Sequence, residues 1–222
     1  MRQWNRSAAY NRKRLMKRLL TFLALACISV APVQTSAGVD LLQRMGAINP
    51  SLRSYTATMH AHVVLTSLLG FSADLVGTYY HKDPNLDKLV ITQGLPGIAK
   101  QFSELYPHIE SPARWSQIFD VTMMGDDGTT ATFKLVPRKR GNIDHIDAMV
   151  DDKTATVKSM TWHYYNGGSA IMNNNYSTID GNVLITSQTG KVDEPSYKGD
   201  ISSTLSDYKI NPPIDDKVFA QQ

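Results

Sequence analysis

The chain has 222 residues, 42% of them hydrophobic, with 23 Lys/Arg against 20 Asp/Glu and a formal net charge of +3. Seven of those cations (Arg2, Arg6, Arg12, Lys13, Arg14, Lys17 and Arg18) fall in residues 1–37, which hold no acid; the other 185 residues carry 16 basic against 20 acidic side chains, net −4. A mildly acidic domain lacks the basic footprint that nucleic-acid binding requires, so no nucleic-acid partner is expected.

The N-terminal cations precede an apolar run, Leu19 to Ala31, closed by Pro32 and followed by Thr35-Ser36-Ala37. Basic, apolar and small-residue segments in that order are those of a secretory signal peptide, with cleavage expected between Ala37 and Gly38. Met16-Lys17-Arg18 offers an alternative start that leaves a leader of ordinary length. The expected organisation is a leader, 1–37, removed on export to the periplasm or another exported compartment, and one domain, 38–222. Cys27, the only cysteine, lies in the apolar run. Lipidation there is the alternative to cleavage after Ala37, but a lipobox places Leu three residues before the cysteine, and Ala24 stands at that position. The run is also short of the roughly 20 residues that span a bilayer. With no second cysteine to form a disulfide, stability must come from a core, which a domain of this size can build.

After the leader, Val39, Leu41, Leu42, Met45 and Ile48 recur as one face of a helix over Gly38–Ser51, ended by Asn49-Pro50 because a residue before proline is pushed out of the helical region. Tyr55 to Thr66 then alternates. Tyr55, Ala57, Met59, Ala61, Val63 and Leu65 share one face; Thr56, Thr58, His60, His62 and Thr66 share the other, with Val64 the apolar exception. That is a long strand with one dry and one wet face. Asp83-Pro84-Asn85 separates strands Val76–His81 and Lys88–Gln93. A second helix is expected over Gly97–Tyr106, with Ile98, Phe102 and Leu105 on one side and Pro107 as its stop.

Further turn signals stand at Asp127-Gly128, Gly141-Asn142, Asp151-Asp152, Gly167-Gly168, Asp180-Gly181 and Thr189-Gly190. Intervals of about 9 to 15 residues produce an antiparallel meander of medium strands. The strands expected are Ile118–Met124, Ala131–Pro137, Asp144–Val150, Thr156–Tyr165, Ser169–Thr178, Asn182–Ser187 and Ser203–Ile210. A parallel sheet would need a crossover of a dozen or more residues after each strand, for which there is no room. The fold class is therefore mainly β (α+β): one antiparallel sheet of about ten strands, too wide to stay flat, with helices on its concave face. A two-sheet sandwich is the alternative.

Three stretches carry a resemblance. They are the Ser54-Tyr55-Thr-Ala start of the long strand, Ile146-Asp-Ala-Met-Val-Asp-Asp-Lys-Thr-Ala-Thr-Val-Lys-Ser-Met160, and the closing Tyr208-Lys-Ile-Asn-Pro-Pro-Ile-Asp-Asp-Lys-Val-Phe219. With the leader and short helix, they make most of residues 38–220 resemble the LolA-like proteins, the outer-membrane lipoprotein carrier and lipoprotein-sorting group. The resemblance implies an unclosed β-barrel whose mouth is covered by helices, a hollow holding acyl chains or another lipid, and no catalysis. It also implies that the lipoprotein carrier proper uses a buried sheet arginine, bonded to the lid, to control opening. The first strand here carries His60 and His62 and no arginine, so the resemblance supports lipid binding more than that handover cycle.

A cavity of this kind is expected to be lined by Met59, Ala61, Val63 and Leu65; by Phe119, Val121 and Met123; by Phe133 and Leu135; and by Met160 and Trp162. Ile98, Phe102 and Leu105 would form the lid. Methionine suits an adaptable apolar pocket, although the same residues would equally serve as plain core.

Signals for other chemistry are weak. His60 and His62 share a strand face within reach of one ion, but His81, His108, His145 and His163 are each isolated, and no zinc or calcium motif is present. Solvent-facing histidines, no metal and no cofactor are expected. Asp126-Asp127-Gly128 and Asp151-Asp152 occupy turn positions where Asp serves local hydrogen bonding; Asp215-Asp216 is a third pair. There is no Gly-x-Ser-x-Gly nucleophile motif, and Gly167-Gly168-Ser169 reads as a hairpin turn rather than a phosphate loop. Asn173-Asn174-Asn175 implies an edge or a bend in its strand. The sequence thus points to an exported, monomeric, non-enzymatic binder of lipid or lipoprotein acyl chains. A sensor module holding a peptide or an envelope protein partner on the same sheet is the alternative, and an exported hydrolase a third reading.

Overall fold

The computed structural model describes residues 36–66, 71–84, 86–94, 111–195 and 197–220. The chain divides into two units, Met1–Val33 and Gln34–Gln222, and all described residues belong to the second. The expected leader segment up to Thr35, with Cys27, and the expected helix Gly97–Tyr106 lie outside the described residues.

Helix α1 covers Ser36–Gly46. It ends five residues before the expected Ser51, and Val39 is 49% exposed rather than on the buried face. The reason is angular. Leu41 and Met45, four residues apart, share the buried stripe, whereas Val39 precedes Leu41 by two residues and stands about 200° round the helix from it. Arg44 fastens the last turn: Nε lies 3.1 Å from Asp40 Oδ2, and Nη1 and Nη2 donate to Asp152 O (2.6 Å) and Oδ1 (2.7 Å).

Ten strands follow, β1 (Ser54–Leu65), β2 (Phe71–Lys82), β3 (Leu86–Gln93), β4 (Phe119–Asp126), β5 (Thr130–Pro137), β6 (Ile143–Asp151), β7 (Thr156–Tyr164), β8 (Ser169–Ile179), β9 (Asn182–Asp193) and β10 (Lys198–Ile210). A 3-10 turn, Pro112–Arg114, and a one-turn helix α2, Trp115–Ile118, lead into β4; α3, Lys217–Ala220, closes the described chain. Among the described residues all ten strands join one antiparallel sheet in the order β3-β2-β1-β10-β9-β8-β7-β6-β5-β4, in place of the two-sheet sandwich. The sheet is not closed into a barrel, and β3 and β4 are its edges. The last strand therefore returns beside the first, with β1 lying between β2 and β10 along its whole length.

The hairpins obey the expected turn chemistry. Asp127 Oδ1 accepts from Thr129 N and Thr130 N, and Asp126 Oδ1 from Gly128 N, where φ is +79°. Asp151 Oδ1 accepts from Thr154 N and Oγ1. Asp180 and Gly181, with φ of 47° and 78°, form the tight β8–β9 link, as a two-residue hairpin with both φ positive requires. One turn was misplaced. Thr189-Gly190 lies inside β9, and the reversal into β10 comes at Glu194–Tyr197, where each backbone N–H meets the other residue's carbonyl. Gly190 serves close packing instead, since a Cβ there would sit 3.3 Å from Ile171 O on β8.

The three asparagines fall where β8 leaves β7: that pairing ends at Ser159↔Asn173, while β8 continues on β9 with a register shift between Asn175 and Tyr176, so the stretch is both a local edge and a bend. Asn174, buried, donates to Val157 O (3.0 Å) and accepts from Gln188 Nε2 (2.9 Å).

Two apolar clusters cover the inner face. One joins Leu41 and Met45 of α1 and the fully buried Trp115 to residues of β4–β8, with Trp115 edge-on to Phe133 at 6.4 Å. The other, on β1–β3, comprises Met59, Ala61, Val63, Leu75 and Leu89.

Candidate functional site

The sheet forks between β9 and β10. Their pairing runs from Lys198↔Asp193 to Thr204↔Ser187 and stops, whereas β10 stays on β1 as far as Ile210↔Tyr55. The first residues of β9 are left with a free edge, and two side chains occupy it. Asn49, after α1, donates to Val183 O (2.9 Å) and accepts from Val183 N (2.8 Å), imitating a strand neighbour. Tyr208 Oη donates to Ile185 O. Asn49 thus does more than end a helix; it ties the α1 connection to the open arm of the fork.

A cleft of about 260 Å³ lies over this fork, bounded by the end of α1 and by Ser111-Pro112. Met45, Ile48, Leu52, Val157, Leu184 and Leu205 supply its apolar wall. Its other end is polar, and β2 and β3 build it. Residues of β2 with odd numbers face inward, so His81 follows Ala73, Leu75, Gly77 and Tyr79 onto the inner side, and Asp87 of β3 lies opposite it in register. Tyr79 Oη donates to Asp87 Oδ1 (2.6 Å), His81 Nδ1 lies 2.9 Å from the same oxygen, and His81 Nε2 is 3.5 Å from Asp83 Oδ1. The Tyr55 ring stacks on His81 at 5.0 Å and contacts the rings of Tyr79 and Tyr208. Burial disfavours the imidazolium, but hydrogen bonding and charge from Asp87, helped by Asp83, outweigh it and hold the His81 pKa above its ordinary value.

Two half-buried tyrosines add polar groups near the cleft. Tyr176 Oη donates to Val157 O (2.9 Å), and burial pushes its pKa up to about 12. Tyr208 is raised in the same direction by burial. Both phenols therefore stay neutral donors at physiological pH.

The expected lining residues fall into the two clusters and not on this cleft. Phe119, Val121, Phe133, Leu135, Met160 and Trp162 meet beneath α1, with Met123 packed against them; Met59, Ala61 and Val63 meet under β1–β3, with Leu65 beside them. Ile98, Phe102 and Leu105 lie outside the described residues. Sequence reading missed His81, Asp87, Asn49 and Leu205 as cleft residues. For His81 and Asp87 a signal existed, since both share parity with the inward residues of their strands. No such signal marks the place where β9 leaves β10. His60 and His62 are exposed on the outer face, with His62 Nδ1 2.7 Å from Asp74 Oδ1.

No protein-family model matches the sequence, and no curated protein matches it. Solved structures do share its architecture. A DUF1329 family protein from Desulfovibrio piger superposes with a TM-score of 0.61 at 14% identity, over 87% of this chain and 100% of that one. An outer membrane lipoprotein-sorting protein domain from Vibrio parahaemolyticus gives 0.58 at 9% identity, over 82% and 95%. A LolA superfamily protein from Nitrosomonas europaea gives 0.51 at 10% identity, over 82% and 96%. At these identities the likeness is one of fold, and the fold is LolA-like.

Proposed function

We propose that the chain is an exported, non-enzymatic binding protein that shelters an apolar ligand, a lipid or lipoprotein acyl chain, between its curved sheet and the elements that cover it. The mature protein in this reading is residues 38–222, released by cleavage after Ala37 and acting as a monomer in the periplasm or an equivalent compartment. One observation carries the proposal: a cleft with an apolar wall and a single polar end opens where the sheet forks. At about 260 Å³ it falls just below the roughly 300–1,000 Å³ of small-ligand pockets, so it suits one chain end with a polar head turned toward Tyr55, Tyr79 and His81. Met59, Ala61, Val63 and Leu65 would continue the apolar path, covered by Ile98, Phe102 and Leu105. Phe119, Val121, Met123, Phe133, Leu135, Met160 and Trp162 would join it only if α1 lifted from them.

The test is lipid extraction and native mass spectrometry of the exported protein, followed by titration with a fluorescent fatty acid. One saturable site is expected. Ile48→Trp, which enlarges a half-buried residue of the cleft wall, should abolish uptake while circular dichroism and melting stay unchanged. Undiminished uptake in that variant would remove the cleft from the proposal. A co-purified protein in place of lipid would favour the second reading, recognition of a peptide or partner by the same sheet.

A further inference from the structure

The outer face of β6 and β7 brings together three side chains that the sequence separates. His145 and His163 are register partners in the β6–β7 pairing. Asp147 is two residues along β6 from His145 and so on the same side. Their neighbours Ile146, Ala148 and Trp162 are buried on the inner face, so the trio stands on the side of the sheet opposite the cleft. Asp147 Oδ2 is 3.0 Å from His163 Nε2 and 3.6 Å from His145 Nε2. One ligand atom from each of the three lies within 4.8 Å of the others, and no other His/Cys/Asp/Glu group among the described residues converges in this way.

A fourth residue makes the arrangement resemble a built site. Asp144 Oδ2 lies 2.7 Å from His145 Nδ1. Consecutive strand residues ordinarily point to opposite faces, but a register shift between Ile143 and His145 breaks that alternation. Bulges re-aim side chains in this manner. The Asp144 carboxylate then fixes the His145 tautomer with Nδ1 protonated and Nε2 presented as a ligand, the arrangement by which outer-sphere carboxylates orient metal-bound histidines.

We propose that His145 Nε2, His163 Nε2 and Asp147 Oδ2 form a surface site for one divalent transition-metal ion, zinc foremost, with Asp144 as a positioning residue. Two imidazoles and one carboxylate suit zinc, and three protein ligands leave the fourth tetrahedral position to water or a partner's donor. Calcium and magnesium, which take oxygen ligands, do not fit a site with two nitrogens. The two rings lie stacked, 4.3 Å apart and 13° from parallel. Parallel rings direct their lone pairs side by side, so coordination must fan them apart about χ2, a broad torsion in histidine. Lys134, opposite Asp147 in the β5–β6 register, is the nearest cation in the pairing and opposes the ion's charge.

The experiment is calorimetric titration of the purified, tag-free protein with zinc chloride, together with visible absorption of the cobalt(II) form. One ion per chain and a tetrahedral cobalt spectrum are expected. His163→Ala and His145→Ala should each weaken binding at least about tenfold, and Asp144→Asn about 10- to 100-fold, the range for outer-sphere partners. His62→Ala, a histidine on the same outer side but far along the sheet order, should leave binding unchanged. Zinc uptake that is absent, that survives His145→Ala and His163→Ala, or that falls equally with His62→Ala would overturn the site. Circular dichroism of the metal-free variants confirms folding; if His163→Ala fails to fold, His163→Gln replaces it with the same expectation.

Discussion

Replacing Asn49 by Ala tests whether the fork between β9 and β10 is held open by a side chain acting as a strand. The substitution deletes two hydrogen bonds, of 2.9 and 2.8 Å, and leaves the amide and carbonyl of Val183 without those partners. A hydrogen bond contributes about 0.5–1.5 kcal/mol net, and an unsatisfied buried group costs about 1–3 kcal/mol. Asn49 and Val183 are half-buried, so water can recover part of the loss, and a destabilisation of about 2 kcal/mol is expected. In a domain of this size that corresponds to a fall of roughly 4–8 °C in Tm. Asn49→Asp separates the two bonds, since a carboxylate can still accept from Val183 N but sets an oxygen against Val183 O, so it should cost a comparable amount. Urea denaturation gives the global value, and hydrogen exchange at the Val183 amide gives the local one. A change below about 0.5 kcal/mol with exchange at Val183 unaltered would refute the reasoning, because the fork would then stand without its clamp.

Two further outcomes follow from the polar groups. The His81 pKa is raised in the folded state above the unfolded value of about 6.5. Its contribution is therefore complete below about pH 6.5 and is lost as pH climbs through the folded-state pKa. His81→Gln should flatten the stability profile between about pH 6 and 8, measured by urea midpoints, and a variant whose slope over that range matches the parent would contradict it. Ser203 Oγ, on β10, is buried with no hydrogen-bond partner among the described residues. Ser203→Ala removes that hydroxyl and should raise stability by about 1 kcal/mol; a loss of that size in thermal melts would show that the hydroxyl is satisfied in solution.

Strand number and face were legible in the sequence because both are local properties. Alternation in Tyr55–Thr66 and Asp-Gly signals at Asp127-Gly128 and Asp180-Gly181 depend on residues within a few positions of each other, and the structure forms strands and turns there. Thr189-Gly190 misled because glycine serves close strand approach as well as reversal, and only the neighbouring strand decides which. Asn173–Asn175 did mark a local edge and a bend, since β8 leaves β7 there and shifts register on β9; what the sequence did not show is that Asn174 closes the gap through Val157 O and Gln188.

What the residues determined by themselves was an all-antiparallel β domain with an apolar inner face, because side-chain alternation follows from strand geometry alone. Tertiary structure decided that β10 returns beside β1, that β9 pairs with β10 only from Ser187 onward, and that His145 meets His163. Each of these is a register between segments distant in sequence, set by the twist and pairing of the whole sheet. The cleft and the outer-face cluster both arise from such registers, so no window of sequence contains either one.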